Sequence, residues 1–170
     1  MKKYKFLRIG LKSNSGNHKW VVGKWYTCEN KLDICNIGFH CSKGIYQAFS
    51  YVQGEYLAEV EVKGRSIKQN DKECWEKMRL VKVYKWKKTD SVLFSIYASR
   101  LVLKIYEDKY PSDNRPRKAI EAAENWIKKP TKKNKNAAYA AAYAANASNA
   151  ALRKKLDKWM LNHLKELKEL

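Results

Sequence analysis

The amino-acid sequence predicts an α+β protein, with a small mixed or antiparallel sheet and one or two helices followed by a three-helix C-terminal module. Residues 56–62 place four apolar residues on one face of an extended segment, the pattern of a half-buried strand. From residue 92 onward, apolar residues recur mostly at spacings of three and four, the pattern of an amphipathic helix. The change of period predicts an α+β domain over residues 1–87 and a basic helical module over residues 88–170.

Turn-forming residues divide the first part into short segments. Residues 4–12 and 19–27 are rich in aromatic and branched side chains and flank a Ser-Asn-Ser-Gly-Asn run, so we predict that they form a strand pair. A short helix is predicted over residues 44–51, with Ser42 available as its N-cap.

Two further strands are predicted in this part. In residues 56–62, Glu59 and Glu61 are expected on the face opposite the apolar residues. A strand over residues 78–86 is apolar on both faces at its centre, and Tyr84 and Trp86 are expected to point into the core because they share a face with Met78 and Leu80.

Three helices are predicted in the second part. The first begins at a Thr or Asp cap after residue 88 and ends near Lys109, before a proline. The second spans about residues 116–128, opens with a proline in its first turn and buries Ile120, Ala123 and Ile127. The third runs from about residue 136 towards the C-terminus, first as an alanine-rich segment and then with widely spaced leucines and Trp159.

The charge is strongly positive, with 36 Lys and Arg against 17 Asp and Glu, a net charge of +19. Folding does not need this excess, whereas binding to a polyanion uses it through counterion release and steering. A lysine-rich composition without a specific partner is the alternative explanation. Residues 1–8 lack an apolar segment and no run of roughly 18 apolar residues is present, so we expect no secretory leader and a cytoplasmic protein without a membrane partner.

Four cysteines lack the Cys-x-x-Cys spacing of structural zinc sites, and we expect reduced thiols and no bound metal. They are Cys28, Cys35, Cys41 and Cys74.

The basic segments are the candidate contacts to nucleic acid or to a partner. Five lysines stand within eight residues of the linker, and four cations stand within two turns of the last predicted helix. A solvated surface is the ordinary alternative for each cluster taken alone. The candidate residues are Lys128, Lys129, Lys132, Lys133, Lys135, Arg153, Lys154, Lys155 and Lys158.

The motifs for nucleotide hydrolysis and dinucleotide binding are missing from the sequence. It has no phosphate-loop motif, no paired-histidine zinc helix and no glycine-rich fingerprint, so we expect no cofactor. His40 is the best candidate for a reactive side chain, since it precedes a helix; a histidine that hydrogen-bonds a turn is the alternative. A Cys41 nucleophile is disfavoured because neighbouring residues on an extended segment point in opposite directions.

Several runs carry a family resemblance. Residues 20–26, the Gly38-Phe39-His40 motif within 35–41, residues 48–51 and the Glu-Val strand 57–64 resemble a phage and prophage domain family of unknown function. Residues 115–123, with the alanine-rich stretch that follows, resemble helical immunity proteins. Both resemblances imply the biology of mobile genetic elements.

The strand, the Gly-aromatic-His turn and the helix are also similar to folds of the ADP-ribosyltransferase type. That similarity implies a site made of His40, Tyr51 and either Glu59 or Glu61, although the full triad of those enzymes does not match this chain.

These observations favour a phage or mobile-element inhibitor of a bacterial defence system, of the anti-CRISPR type. It would act in the host cytoplasm by stoichiometric binding, through its basic surface, to a nucleoprotein effector or its nucleic acid, and without turnover. The alternatives are an ADP-ribosyltransferase-like modifying enzyme and an immunity-type protein that binds a toxin through its C-terminal helices, in a complex that depends on Leu156, Trp159 and Leu164. The sequence leaves the oligomeric state open.

Overall fold

The computed structural model describes residues 2–129 and 150–170. Within them the chain forms a five-stranded sheet and four helices, which confirms the predicted α+β class with C-terminal helices. The strands are β1 (Lys3–Leu7), β2 (Tyr26–Thr27), β3 (Phe39–Cys41), β4 (Tyr56–Lys68) and β5 (Glu73–Lys85). The helices are α1 (Ile45–Tyr51), α2 (Lys88–Lys109), α3 (Arg115–Lys128) and α4 (Ala150–Leu164).

The chain divides into two compact units. Unit 1 contains Met1–Trp86 together with Met160–Leu170, and unit 2 contains Lys87–Trp159. Helix α4 therefore begins in unit 2 and ends in unit 1. None of the helices in the described parts of the chain is long and apolar enough to cross a membrane.

The sheet of unit 1 is antiparallel and is built around the long β4–β5 hairpin. The strand order is β1-β4-β5-β2, and β3 pairs with the same edge of β5 as β2 does. The hairpin register shifts between Glu59 and Val60 and again between Lys63 and Ser66. Gly64 lies in the second shift with a φ of 82°, a left-handed conformation that glycine adopts without strain.

The predicted strand pair between residues 4–12 and 19–27 is reduced to one antiparallel bridge, between Lys12 and Lys19. Strand β1 pairs with β4 instead, and only the last two residues of the second segment form a strand. The bridge includes the bond from the Trp20 backbone N–H to the Leu11 carbonyl at 2.9 Å, and the buried Trp20 ring also donates its indole N–H to Ser13 Oγ at 2.9 Å. These bonds fold the segment into a loop over the sheet.

Both faces of the hairpin are buried towards its open end, where Leu57 lies opposite Tyr84, whereas Val81, at the predicted centre of the second strand, is 39% exposed. One face packs with Trp20, Met78 and Leu80. On the other, the Phe6 ring contacts those of Phe49 and Trp86 edge to face, with each pair of centroids 5.3 Å apart. Trp86 and Tyr84 are buried, as predicted, but Trp86 lies on the face opposite Met78 and Leu80, because the register shift between Glu59 and Val60 skips one residue of β5.

Two local expectations in unit 1 need correction. Gly44, and not Ser42, is the N-cap of α1, and the Gln47 side chain accepts a hydrogen bond from the Gly44 N–H at 3.1 Å. The Ser42 backbone is used instead in a bridge to Tyr4. Glu59 is buried, and its carboxylate pairs with Lys2 at 2.9 Å and accepts a hydrogen bond from the Tyr84 hydroxyl at 3.3 Å.

In unit 2, α2 and α3 pack through a small apolar core. The N-cap of α2 is Lys87, two residues before Thr89 and three before Asp90, and the Asp90 carboxylate accepts a hydrogen bond from the Lys87 N–H at 2.6 Å. The helix ends at Lys109, as predicted. Ile127 is only partly buried. The core consists of Val92, Ile96, Ile120, Ala123 and Trp126.

The third predicted helix ends earlier than the sequence predicted. Helix α4 stops at Leu164, and the chain then returns to the sheet of unit 1. The Leu170 N–H donates to the Val83 carbonyl at 2.9 Å, and the Lys85 N–H donates to the Lys168 carbonyl at 3.0 Å. The predicted alanine-rich start of this helix lies outside the described residues.

Candidate functional site

A pocket of about 310 Å3 opens in unit 1 around the Gly-Phe-His segment. Its walls come from β1, the turn over residues 13–16, the loop before β3, β3 itself and α1, with Lys72 at one side. Of the side chains named from the sequence as a possible enzyme site, His40 and Tyr51 line this pocket.

His40 is held as a neutral acceptor. Its Nε2 accepts a hydrogen bond from the Cys35 N–H at 2.9 Å, so the ring proton of the neutral form lies on Nδ1. Burial lowers the pKa of His40 below its ordinary value, and the neighbouring Lys5 and Lys72 lower it further. The ring therefore stays neutral near pH 7 and stabilises the loop in which Cys35 has a φ of 80°.

Lys5 reaches the pocket from β1. Its Nζ donates to the His40 carbonyl at 2.9 Å and lies 5.8 Å from the centroid of the Trp20 ring. Burial lowers the pKa of Lys5 to about 8. The amine is thus protonated for most of the time near neutral pH, at a cost in solvation.

Lys72 and Tyr51 lie beside an exposed thiol. The Lys72 Nζ is 2.7 Å from Cys35 Sγ and 5.0 Å from the centroid of the Tyr51 ring. The Tyr51 hydroxyl donates to Asp71 Oδ2 at 2.5 Å; partial burial and this bond raise the pKa of Tyr51 to about 12. Tyr51 therefore acts here as a hydrogen-bond donor and as an aromatic wall.

The glutamates of the enzyme hypothesis lie elsewhere. His40 is opposite Cys74 on β5, whereas Glu61 is opposite Arg79 and Glu59 is opposite Lys82. At roughly 3.3 Å per residue, these positions are about 17 Å and about 26 Å farther along β5. The structure brings His40 and Tyr51 together, but not Glu59 or Glu61.

The buried thiols are not activated. Burial raises the pKa of Cys41 to about 12 and that of Cys74 to about 11, so both remain protonated at neutral pH. All four cysteines are free. In the described ranges, His, Cys, Asp and Glu form no cluster of three or more suited to a metal ion.

The basic candidates lie on the helices of unit 2. Lys128 and Lys129 are exposed at the end of α3. Lys132, Lys133 and Lys135 lie outside the described residues. The remaining candidates are exposed on α4, and they are Arg153, Lys154, Lys155 and Lys158.

The same helix carries apolar residues that the sequence offered as a partner surface. Leu156 and Leu164 are buried, so they are not available to a partner. Trp159 is partly buried and packs in unit 2, with its ring 5.7 Å from those of both Phe94 and Tyr97. The Trp159 ring contacts lie within unit 2, so this side chain stabilises the helical unit itself.

Sequence reasoning missed the exposed apolar residues of α2 and its end. Ile105 belongs to the apolar repeat that predicted the helix, yet 72% of its surface is exposed, and Tyr110 is 46% exposed. Lys5, Lys72 and Cys35 were also missed as pocket residues. The signal for Lys5 is its position between two aromatic residues, Tyr4 and Phe6, in a strand that also carries Lys3.

Comparison with known proteins gives two family matches along the chain. Residues 85–161 match the family described as "Imm-5 like putative immunity protein". Residues 1–91 match the family described as a domain of unknown function, DUF7666, and this range contains the whole pocket. No curated protein and no solved structure matches the chain. The match over residues 1–91 covers more than half of the chain, so the chain belongs to the DUF7666 family.

Proposed function

We propose that the protein is of the immunity type and neutralises a toxin by forming a stoichiometric complex through its helical unit, without turnover. The observation that carries this proposal is the family match over residues 85–161, which coincides closely with unit 2, Lys87–Trp159. An immunity protein that acts by binding needs a contact surface and no catalytic centre. The separation of Glu59 and Glu61 from His40 agrees with such a function.

The charge of unit 2 indicates what kind of partner it fits. Residues 87–159 carry 17 Lys and Arg against seven Asp and Glu. Several of the carboxylates are already engaged inside the unit: Glu107 pairs with Arg117 at 2.7 Å and Glu124 pairs with Arg100. The excess of cations therefore favours a partner with an acidic surface.

An apolar anchor accompanies this charge. Ile105 and Tyr110 are exposed near the end of α2, and the Tyr110 ring lies 4.9 Å from that of Tyr106. Tyrosines and large aliphatic side chains surrounded by polar residues are typical of the centre of protein interfaces. We propose that Ile105 and Tyr110 insert into the toxin, while the cations steer its approach.

The test starts from the neighbouring genes. Each open reading frame adjoining the gene is expressed in a bacterial host with and without the chain, and colony survival is measured. A toxic neighbour should be neutralised, and the two purified proteins should elute as a one-to-one complex. Ile105→Glu should weaken that complex by at least about tenfold, since an interface centre typically contributes 2 kcal/mol or more.

Ile9→Glu is the matched control. Ile9 in unit 1 is 70% exposed, almost the same as Ile105, so the same substitution introduces the same charge at a similar surface. Protection should persist with Ile9→Glu. The proposal fails if no neighbour is toxic, or if Ile105→Glu and Ile9→Glu behave alike.

The second candidate is the phage or mobile-element inhibitor of a bacterial defence nucleoprotein, which the net charge of +19 favours. Nucleic-acid binding by the exposed α4 cations should weaken steeply with salt. The measurement is binding to short labelled RNA and DNA at two salt concentrations, with Lys154→Glu, Lys155→Glu and Lys158→Glu combined. Tight, salt-sensitive binding that the triple variant loses would favour this candidate; no binding at low salt would remove it.

A further inference from the structure

The pocket in unit 1 is positively charged and has no acidic wall. Two ammonium groups line it, those of Lys5 and Lys72, and no Asp or Glu stands among the residues that line it. Asp71 and Asp33 lie outside this wall, where Asp71 holds the Tyr51 hydroxyl and Asp33 accepts from the Asn36 side chain. Proteins that bury a lysine normally give it a carboxylate partner.

Lys5 is partly buried in β1 and departs from that rule. Within residues 2–129 and 150–170, no carboxylate lies within salt-bridge distance of its Nζ, and the hydrogen bond recorded for it goes to the His40 carbonyl. A lysine ammonium has three N–H donors, and the bond to the His40 carbonyl uses one of them. The lowered pKa of Lys5 has the same physical origin, a buried charge that is not compensated by a nearby opposite charge.

The rest of the wall would suit an organic molecule. The Phe39 and Tyr51 side chains offer aromatic surface, and Val52 adds an aliphatic patch. The turn over residues 13–16 adds small polar groups at the opposite side. A volume of about 310 Å3 lies at the lower end of the range found for small-molecule sites.

We propose that this pocket binds a small organic anion, with a phosphate or carboxylate group held by Lys5 and Lys72 and a planar or apolar body against Phe39 and Tyr51. Lys5 supplies the charge at the buried end, and Lys72 supplies a second charge beside the exposed Cys35. The site is separate from the toxin-binding proposal, because every residue in it belongs to unit 1.

The test uses phenyl phosphate and benzoate as probes, with benzyl alcohol as the neutral control. Each is titrated into the full 15N-labelled chain, and backbone amide shifts are followed by NMR. Phenyl phosphate or benzoate should bind at least about tenfold more tightly than benzyl alcohol, since a charged hydrogen bond contributes about 1.5–3 kcal/mol. The better of the two anions identifies the group that the site prefers.

Lys5→Met removes the charge and keeps most of the side-chain length, so the fold should tolerate it. The variant should bind the preferred anion at least about tenfold more weakly, and Lys72→Met should weaken binding by a smaller factor. Lys31→Met is the matched control, because Lys31 is an exposed lysine of the same unit that does not line the pocket. Its affinity should stay within about twofold of the unmodified chain.

A second measurement uses the thiol beside Lys72. The preferred anion should slow the alkylation of Cys35 by iodoacetamide, as located by peptide mapping. Equal binding of benzyl alcohol and the anions, unchanged affinity in Lys5→Met, or the same loss in Lys31→Met would overturn the proposal. Toxin protection should survive Lys5→Met, so this proposal and the immunity proposal fail separately.

Discussion

The ion pair between Lys3 and Glu73 should be a main determinant of the stability of unit 1. The Glu73 side chain is 2% exposed and that of Lys3 is 10% exposed. Glu73 Oε2 accepts from Lys3 Nζ at 2.7 Å and from the Trp75 indole N–H at 2.7 Å. Glu73 Oε1 has no hydrogen-bond partner among the described residues, and Lys43 Nζ lies 3.9 Å away from it.

Lys3→Met should therefore lower the free energy of unfolding by about 3 kcal/mol, the lower end of the cost of removing one partner of a buried pair. The lower end applies because Trp75 and Lys43 still compensate part of the charge. Adding Glu73→Gln removes the uncompensated charge and keeps an acceptor for Trp75. The double variant should recover about 2 kcal/mol of the loss.

The assay is urea unfolding followed by circular dichroism, with hydrogen exchange of the β5 amides as the readout for unit 1. Burial alone would raise the pKa of Glu73, but the hydrogen bonds from Lys3 and Trp75 outweigh burial and lower it. The stabilisation is thus present above the unfolded-state pKa of about 4.3 and is lost as pH falls through the folded-state pKa. The deficit of Lys3→Met should therefore shrink as the pH falls from about 4.3 through the lower folded-state pKa of Glu73.

Two results would refute this reasoning. A cost below about 1 kcal/mol for Lys3→Met would mean that water screens the pair as it screens surface ion pairs. A double variant no more stable than Lys3→Met would mean that the lost contact was packing and not charge.

Three further predictions concern unit 1. Gly54→Ala should cost about 3 kcal/mol in urea unfolding, since an added Cβ would collide with the Leu7 carbonyl group; a cost near zero would contradict that close approach. His40→Gln should lose less thermal stability than the unmodified chain between pH 7.5 and 5.5. The lowered pKa of His40 makes the folded state resist protonation, so stability falls as pH drops through the unfolded-state value of about 6.5, and an equal loss in both proteins would contradict this. Trp20→Phe should cost about 2 kcal/mol in urea unfolding, from a cavity and the lost hydrogen bond to Ser13; full stability would show that the loop does not depend on the indole.

The regular elements were predictable because their patterns are local. The alternation in residues 56–62 led directly to β4, although the strand continues to Lys68. The spacing of apolar residues and the prolines gave the end of α2 and the start of α3 within one residue. In these segments each residue's neighbours along the chain already determine its face.

The predictions that were wrong or missing concern residues whose contacts lie elsewhere in the sequence. The sequence predicts Trp20 to be a strand residue, whereas in the structure it lies outside the strands and hydrogen-bonds to Leu11 and Ser13. The sequence pattern predicts that Glu59 faces solvent, whereas the pairing of β1 with β4 brings Lys2 beside it. The charge of the pocket follows from the placement of Lys5 and Lys72, which are 67 positions apart in the sequence, and no local pattern connects them.

The return of the chain to unit 1 after α4 has a consequence for biosynthesis. The hydrogen bond between Leu170 and Val83 joins residues 87 positions apart, and the last bridge of the sheet cannot close until residue 170 has been translated. Contacts of such long sequence separation form slowly, because the intervening loop must first lose its conformational entropy. Unit 2, in contrast, is complete once Trp159 has been made. A nascent chain that stalls between these two points would present a finished helical unit and an unfinished sheet edge at β5, which is the kind of edge that chaperones protect from aggregation.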